Sequence, residues 1–470
     1  MIADADEINS RIMRRPSRIL PFALLLAFAL SIPATAHEEA AESPLLSGPM
    51  VGLSDVGEVE LWLQTKRPAR AQLRYWLGGA EVSSRLSREI ATTDEGDRIA
   101  RFRLANLVPG VRYEYEVYVD GKRVGLPYTT AFKTQEIWKW RTPAPDLRAA
   151  FGSCAYINDS AADRPGEPYG GGYEIFGAIL AQKPDLMLWL GDDIYYRESD
   201  VGTEEAMRRR WARDRSLPEL QPLLGSVHQY AIWDDHDFGP NDADRSFAGR
   251  ETSLRVFRDY WANPQYGTAE IPGVFGRFTW ADVEFFLLDD RYHRTPDNFP
   301  ADATKRMFGK EQLRWLQEAL VSSDATFKVV ASGNQMWNPL AFYEALGRYP
   351  EEQRELRDFL VKAKIPGLVF LTGDRHASEL LKVEVPGLYP FYEFTSSPLT
   401  SGMVSSTDKE KDNPARVPGT WVTDRRSFGL LDVTGPPEDR VMTLRAIDAQ
   451  GTELWKREVR AKELQPQVKR

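Results

Sequence analysis

Hydrophobic and polar positions follow two rhythms along this chain. From about residue 48 to 134 they alternate in short bursts, as in Val59-Glu60-Leu61-Trp62-Leu63, Ala71-Gln72-Leu73-Arg74-Tyr75-Trp76 and Tyr113-Glu114-Tyr115-Glu116-Val117-Tyr118-Val119, with turn residues such as Asp120-Gly121 between them. A period of two marks strands with one buried and one solvated face, so residues 43–137 predict a small β-sandwich. Trp138 to Pro145 reads as a packed linker. Beyond it the rhythm changes: unbroken apolar runs alternate with helical patterns such as Lys310 to Leu320 and Glu351 to Ala363, which predicts a layered α/β domain over residues 146–435. Val441 to Ala446 and Leu454 to Val459 predict a closing hairpin within a segment, 436–470, that ends in a charged tail.

One apolar run stands apart. Arg14, Arg15 and Arg18 precede Ile19 to Ile32, and Ala34-Thr35-Ala36 follows, the order of a cleaved export signal over residues 1–36. The run is shorter than the roughly 20 residues a spanning helix needs, and no later segment is long and apolar enough to span. The expected location is therefore periplasmic or secreted. Composition adds two exclusions. With 69 acidic against 60 basic residues and a formal charge of -9, the chain has no field suited to a polyphosphate backbone, so nucleic acid is not expected as a specific partner. The single Cys154 leaves internal disulfides out of the account of stability.

Each apolar run of the second domain ends in side chains that bind metal or form short hydrogen bonds. Ala149-Ala150-Phe151 leads into Gly152-Ser153-Cys154, Leu186 to Leu190 into Gly191-Asp192-Asp193-Ile194-Tyr195-Tyr196, and Ala231-Ile232-Trp233 into Asp234-Asp235-His236-Asp237. Phe285 to Leu288 leads into Asp289-Asp290-Arg291, Val329-Val330-Ala331 into Ser332-Gly333-Asn334-Gln335, and Leu368 to Leu371 into Thr372-Gly373-Asp374-Arg375-His376. In open α/β folds ligands gather outside the carboxyl ends of the strands, so these ends are expected to meet in one crevice. So many carboxylates repel one another unless cations neutralise them. Asp, Asn and His with a Cys thiolate and a Tyr phenolate suit more than one ion, iron first among them, and a close ion pair suits phosphoester hydrolysis. Rival motifs are missing: Gly170-Gly171-Gly172 lacks the Lys-Ser/Thr ending of a phosphate-cradling loop, and neither Gly-x-Ser-x-Gly nor His-Glu-x-x-His occurs.

Taken in order, Phe151-Gly152-Ser153-Cys154, Gly191-Asp192-Asp193-Ile194-Tyr195, Trp233-Asp234-Asp235-His236-Asp237, Gly333-Asn334-Gln335 and Gly373-Asp374-Arg375-His376 closely resemble the motifs of the PhoD-type alkaline phosphatases, a branch of the calcineurin-like metallophosphoesterases. The likeness extends to Phe308 to Leu316, Thr395-Ser396-Ser397 and Ser427 to Leu430. It departs at Ser153-Cys154, where the wider superfamily has Asp-x-His, at Asp237, where the branch often has Glu, and at Asp290. The resemblance implies an αββα metallophosphoesterase core, phosphomonoesterase or phosphodiesterase activity on small phosphate esters, and Fe3+ and Ca2+ as cofactors. By position it makes Cys154, Asp192 and Tyr195 the iron set with Asp192 bridging, and Asp235, Asn334, Asp374 and His376 the calcium-type set. His236 is placed to contact phosphate or protonate the leaving group, and Arg291 to orient phosphoryl oxygens. In the sandwich, Leu107 to Tyr113 resembles the corner of fibronectin type III domains, where a tyrosine hydroxyl bonds back to the chain. Two other readings remain: an enzyme devoted to diesters such as a phospholipid head group or wall polymer, and a non-enzymatic binding protein in which calcium is structural.

Overall fold

The six apolar runs are all strands, but they divide between two sheets. In a computed structural model that describes residues 42–340, 343–403 and 408–466, Leu147–Gly152, Leu186–Leu190 and His228–Ile232 lie side by side and parallel in a nine-stranded sheet. Val283–Leu287, Phe327–Ser332 and Leu368–Thr372 are the parallel centre of a six-stranded sheet. Runs such as Leu-Met-Leu-Trp-Leu are buried at every position because both faces of a parallel sheet are covered. The parallel registers place the carboxyl ends of each trio level: Gly152 pairs with Trp189, Leu190 with Ile232, Leu287 with Ala331, and Ser332 with Thr372.

Aromatic rings fix the sheets face to face, Phe151 against Phe394 at 4.8 Å between centroids and Tyr230 against Phe278 at 3.8 Å. On the far face of the large sheet Trp189 meets Phe176 of helix Glu174–Ala181, while Trp211 of helix Glu204–Arg215 packs on Phe257 of helix Arg250–Tyr260. Helices Lys310–Ser322 and Pro350–Ala363, close to the ranges the periodicity predicts, pack together beside the second sheet. The run Arg208-Arg209-Arg210 is only partly a solvated face: Arg209 pairs with Glu205 at the surface, whereas Arg210 is buried against Asp200, Asp159 and Asp214.

Residues from Ser43 onward form one compact unit. Leu45–Ser54 pairs in parallel with His228–Ile232, so three strands of the amino-terminal region, Leu45–Ser54, Val59–Thr65 and Ile99–Leu104, continue the nine-stranded sheet. Their other face packs on a second sheet centred on Arg70–Leu77 and Arg112–Val119, with a common core that includes Leu61, Leu63, Leu73, Phe102, Tyr115 and Val117. Asp120 and Gly121 both take positive φ, which joins Arg112–Val119 to Lys122–Arg123 in a tight hairpin. Tyr113 accepts a hydrogen bond on its hydroxyl from the Val108 N–H at 2.9 Å, the back-bond expected from the sequence. At the other end, Val441–Asp448 and Glu453–Arg460 form the predicted hairpin and extend the same large sheet beside Ser427–Thr434. Among the described residues no helix is long and apolar enough to cross a membrane, and the export-signal segment 1–36 lies outside them.

Candidate metal centre

Close approach of the strand ends needs residues without side chains. A Cβ on Gly191, which has φ +88°, would stand 2.6 Å from the Asp234 Cβ, and one on Gly373 would stand 2.4 Å from the Ser153 hydroxyl. These contacts let Cys154 N–H donate to Gly191 O at 3.3 Å, Ala155 N–H to Asp192 O at 2.8 Å, and Asp374 N–H to the Ser153 hydroxyl at 3.1 Å. Gly191→Ala combines a left-handed side chain with a backbone collision and is expected to destabilise the protein by about 2–5 kcal/mol, read as a lowered thermal midpoint. A midpoint equal to wild type would show that the strand ends can part without cost.

Strain gathers where the chemistry is expected. Cys154, Asp192, Asp242, Asp374 and His376 all adopt left-handed φ between 51° and 64°. Non-glycine residues enter that region at a cost of roughly 1–2 kcal/mol each, and it is held here by the surrounding hydrogen bonds.

The side chains form two donor groups that share Asp192. In one, donor atoms of Cys154, Asp192 and His376 lie within 4.8 Å of one another; in the other, those of Asp192, Asp235 and His236 do. The two oxygens of Asp192 serve different sides. Oδ2 accepts from the Tyr195 hydroxyl at 2.9 Å and lies 3.4 Å from the Cys154 Sγ, while Oδ1 faces the backbone N–H of His236 at 3.3 Å. His376 presents Nδ1 to Gly402 O at 2.5 Å, so its Nε2, 3.4 Å from the Tyr195 hydroxyl, carries the free lone pair. His376 thus sits on the Cys154 side, not with Asp235 as its expected assignment has it. Asp374 lines the same cavity.

Electrostatics fit an ion-binding role. Burial, then the nearby thiol of Cys154, raises the Asp192 carboxyl well above the usual range. Burial and the Asp374 carboxylate push the Cys154 thiol up to about 11, and burial with Glu344 and Asp235 pushes Asp374 up to about 7. Asp235 is the exception: burial acts to raise it, but His236 and Arg291 outweigh that and hold it at about 2. Burial also lowers His236, against the pull of Asp235. Buried acids that retain protons in the absence of a cation are groups that a cation would ionise and bind. One thiolate, one phenolate, carboxylates and an imidazole suit a transition ion beside a harder one, so the donor chemistry fits the expected cofactors.

Two further expectations need correction. Arg291 does not face the cavity: it is wholly buried, bonded to Asp234 through Nε at 2.5 Å and to Glu344 at 2.6 and 2.9 Å. A guanidinium so saturated anchors the start of the Asp235–Phe238 turn and has no donors to spare for a phosphoryl group. Asn334 is likewise engaged beneath the site. Its Oδ1 accepts from Arg294 at 2.6 Å and its amide donates to Asp234 at 2.8 Å, which uses the oxygen an ion would need. The departures from the family motif are accounted for locally. Asp237 closes a capping box with Asp234 and accepts from the Asp193 N–H at 3.1 Å, and Asp290 accepts from the Asn334 N–H at 2.8 Å. His228 and His293 are bound to backbone carbonyls at 2.7 and 2.8 Å, away from the donor groups.

The centre opens into a cavity of about 500 Å³ lined also by Asn241, Asp242, Asp297, Tyr343, Glu344, Arg348 and Arg375. Asp242 and Glu344 complete a third acidic group with Asp235. Neither follows an apolar run, so periodicity does not mark them; only the Asn241-Asp242 turn shortly after Asp235-His236 carries any local signal.

Comparison with known proteins gives a consistent placement. The profile of a domain of unknown function, DUF7800, matches residues 42–137. Alkaline phosphatase D of Bacillus subtilis (strain 168) is 24% identical over 349 residues, which spans 62% of this chain and 58% of that protein. Among solved structures, that of PhoD superposes with a TM-score of 0.72 at 18% identity over 89% of this chain and 92% of the other. A purple acid phosphatase, PPD1, from yellow lupin (Lupinus luteus) superposes with a TM-score of 0.59 at 11% identity over 88% and 74%. These two likenesses show a shared mixed α/β, multi-sheet fold. Since the PhoD-like phosphatase profile matches residues 150–439, the span that carries both donor groups, the chain belongs to the PhoD-like phosphatase family.

Proposed function

We propose that this protein is an exported, metal-dependent phosphoesterase that acts in the periplasm or outside the cell on small phosphomonoesters or phosphodiesters. The observation that carries this reading is the sharing of Asp192: one buried carboxylate belongs to both donor groups, the position a bridging ligand needs. Cys154, Asp192, Tyr195 and His376 would hold an Fe3+-type ion, and Asp235 and Asp374, with Asp192, a harder ion such as Ca2+. Once bound, the ions supply Lewis acidity and an activated water for attack on phosphorus.

The remaining work falls to the chain. As the bond from phosphorus to the leaving oxygen breaks, that oxygen takes the proton of His236, whose ring is held against Tyr195 at 4.1 Å between centroids. Burial lowers the His236 imidazole, and Asp235, 3.9 Å from its Nε2, opposes that by favouring the charged form. Arg291 keeps Asp234 and Glu344 neutralised below, so the acidic floor keeps its shape through the cycle. The amino-terminal sandwich is a fibronectin-type-III-like scaffold, a reading supported by the Tyr113 back-bond, and contributes no residue to the centre.

Hydrolysis of p-nitrophenyl phosphate and bis(p-nitrophenyl) phosphate, together with elemental analysis of protein purified from its own host, tests the proposal. Metal-replete protein that cleaves neither ester would sink it. Cys154→Ser exchanges the soft donor for a hard one of similar size, and iron content with any thiolate or phenolate absorption is expected to fall sharply while the second ion is retained. Unchanged iron would remove Cys154 from the ligand set.

A further inference from the structure

The metal cavity is larger than phosphate needs and is lined by an aromatic ring, Tyr343, that the chemistry above does not use. A volume of about 500 Å³ is in the range that takes a whole organic ligand. Tyr343 lines it with 44% of its surface exposed, its ring held by the Arg375 guanidinium at 4.3 Å. Other rings lead outward from the centre. His236 stacks on Tyr195, Tyr195 lies 4.9 Å from Tyr156, and Tyr156 lies 5.3 Å from Tyr169, which is 47% exposed. Tyr156 is fixed from its far side, because Arg197 sits 4.1 Å over its ring and its hydroxyl donates to Asp163 at 2.7 Å. Met403, 43% exposed, follows the Gly402 carbonyl that orients His376. The other exposed large apolar side chains of the described residues are Val82, Leu86, Val108 and Ile137 in the sandwich, Trp140 in the linker, Phe299, and Val321 on helix Lys310–Ser322.

We propose that these residues form a subsite for a planar apolar substituent, so that the preferred substrate is a phosphodiester whose retained group is aromatic. This rests on the phosphoesterase reading and narrows it. Pre-fixed rings offer stacking area at little cost in lost motion, and Tyr343 stands in the wall of the cavity that a substituent of the phosphorus would occupy. Volume selects the diester. Charge does not decide between the ester classes, because Asp235 and Asp374 would hold an ion, Asp297 pairs with Arg348 at 2.7 Å, and Glu344 pairs with Arg291 and Arg294. A diester supplies the second substituent that the extra volume can hold, which a monoester lacks.

Two diesters with one leaving group test this: bis(p-nitrophenyl) phosphate and methyl p-nitrophenyl phosphate differ only in the group retained. With metal-replete protein, kcat/KM corrected for uncatalysed reactivity is expected to favour the aryl ester by about fivefold or more. The double variant Tyr169→Ala/Tyr343→Ala is expected to abolish that preference with metal content and the methyl-ester rate unchanged. Wild-type protein supplies a second arm that needs no substitution, since phenylphosphonate should inhibit about fivefold more tightly than methylphosphonate. Equal rates for the two esters, or equal inhibition by the two phosphonates, would overturn the subsite while leaving the phosphoesterase reading in place. Failure to cleave either ester would overturn both.

Discussion

Asp192→Asn is expected to lower the affinity for both ions by about 100-fold or more and turnover by roughly 10³-fold. Asparagine keeps the volume and an oxygen but cannot supply two anionic oxygens to the two donor groups that share Asp192, one with Cys154 and His376 and the other with Asp235 and His236. A purely structural role for Asp192 predicts instead a loss of fold stability with metal-free protein affected as much as metal-loaded protein. The bridging role predicts the reverse. Burial makes the charged carboxylate costly, so metal-free Asp192→Asn should be at least as stable as metal-free wild type, while the stabilisation gained on adding metal disappears. Thermal midpoints with and without added iron and calcium, beside elemental analysis, separate the two. Normal stoichiometry with normal turnover in the variant would end the bridging assignment.

The second large effect concerns His236. A proton donor matters in proportion to the basicity of the oxygen it serves, so His236→Phe, which retains a ring against Tyr195, should slow alkyl esters by about 10²–10⁴-fold and p-nitrophenyl esters far less. Metal content should be unchanged. Because the His236 imidazole also lies within 4.8 Å of the Asp192 and Asp235 donors, loss of an ion in this variant would reassign it from proton donor to ligand. A uniform loss across leaving groups at full metal content would show that it contacts phosphate without transferring a proton.

Much of this centre is visible before folding because burial is expensive for charge. An acid directly after an unbroken apolar strand, as at Leu190-Gly191-Asp192 or Ile232-Trp233-Asp234-Asp235, has nowhere dry to go unless a partner waits for it, and that regularity singles out Cys154, Asp192, Asp235, His236, Asp374 and His376 from the sequence. Helices Lys310–Ser322 and Pro350–Ala363 and the Tyr113 corner are equally local, set by spacing and by the residues of a single turn.

Partnership is a different matter. Alternation says that Leu45–Ser54 buries a face, yet nothing within it names His228–Ile232 as its neighbour some 180 positions on. The same holds for the division of six similar strands into two sheets. Arg291 and Asn334 show the consequence at the site: each follows a strand and carries suitable chemistry, but Glu344 and Arg294, brought in from unrelated segments, claim their polar atoms and turn them into supports. Local composition thus names the groups whose charge demands compensation. Which of them face an ion, which face one another and how wide the cavity stands depend on long-range packing, because the direction of a side chain is set by whatever is already pressed against it.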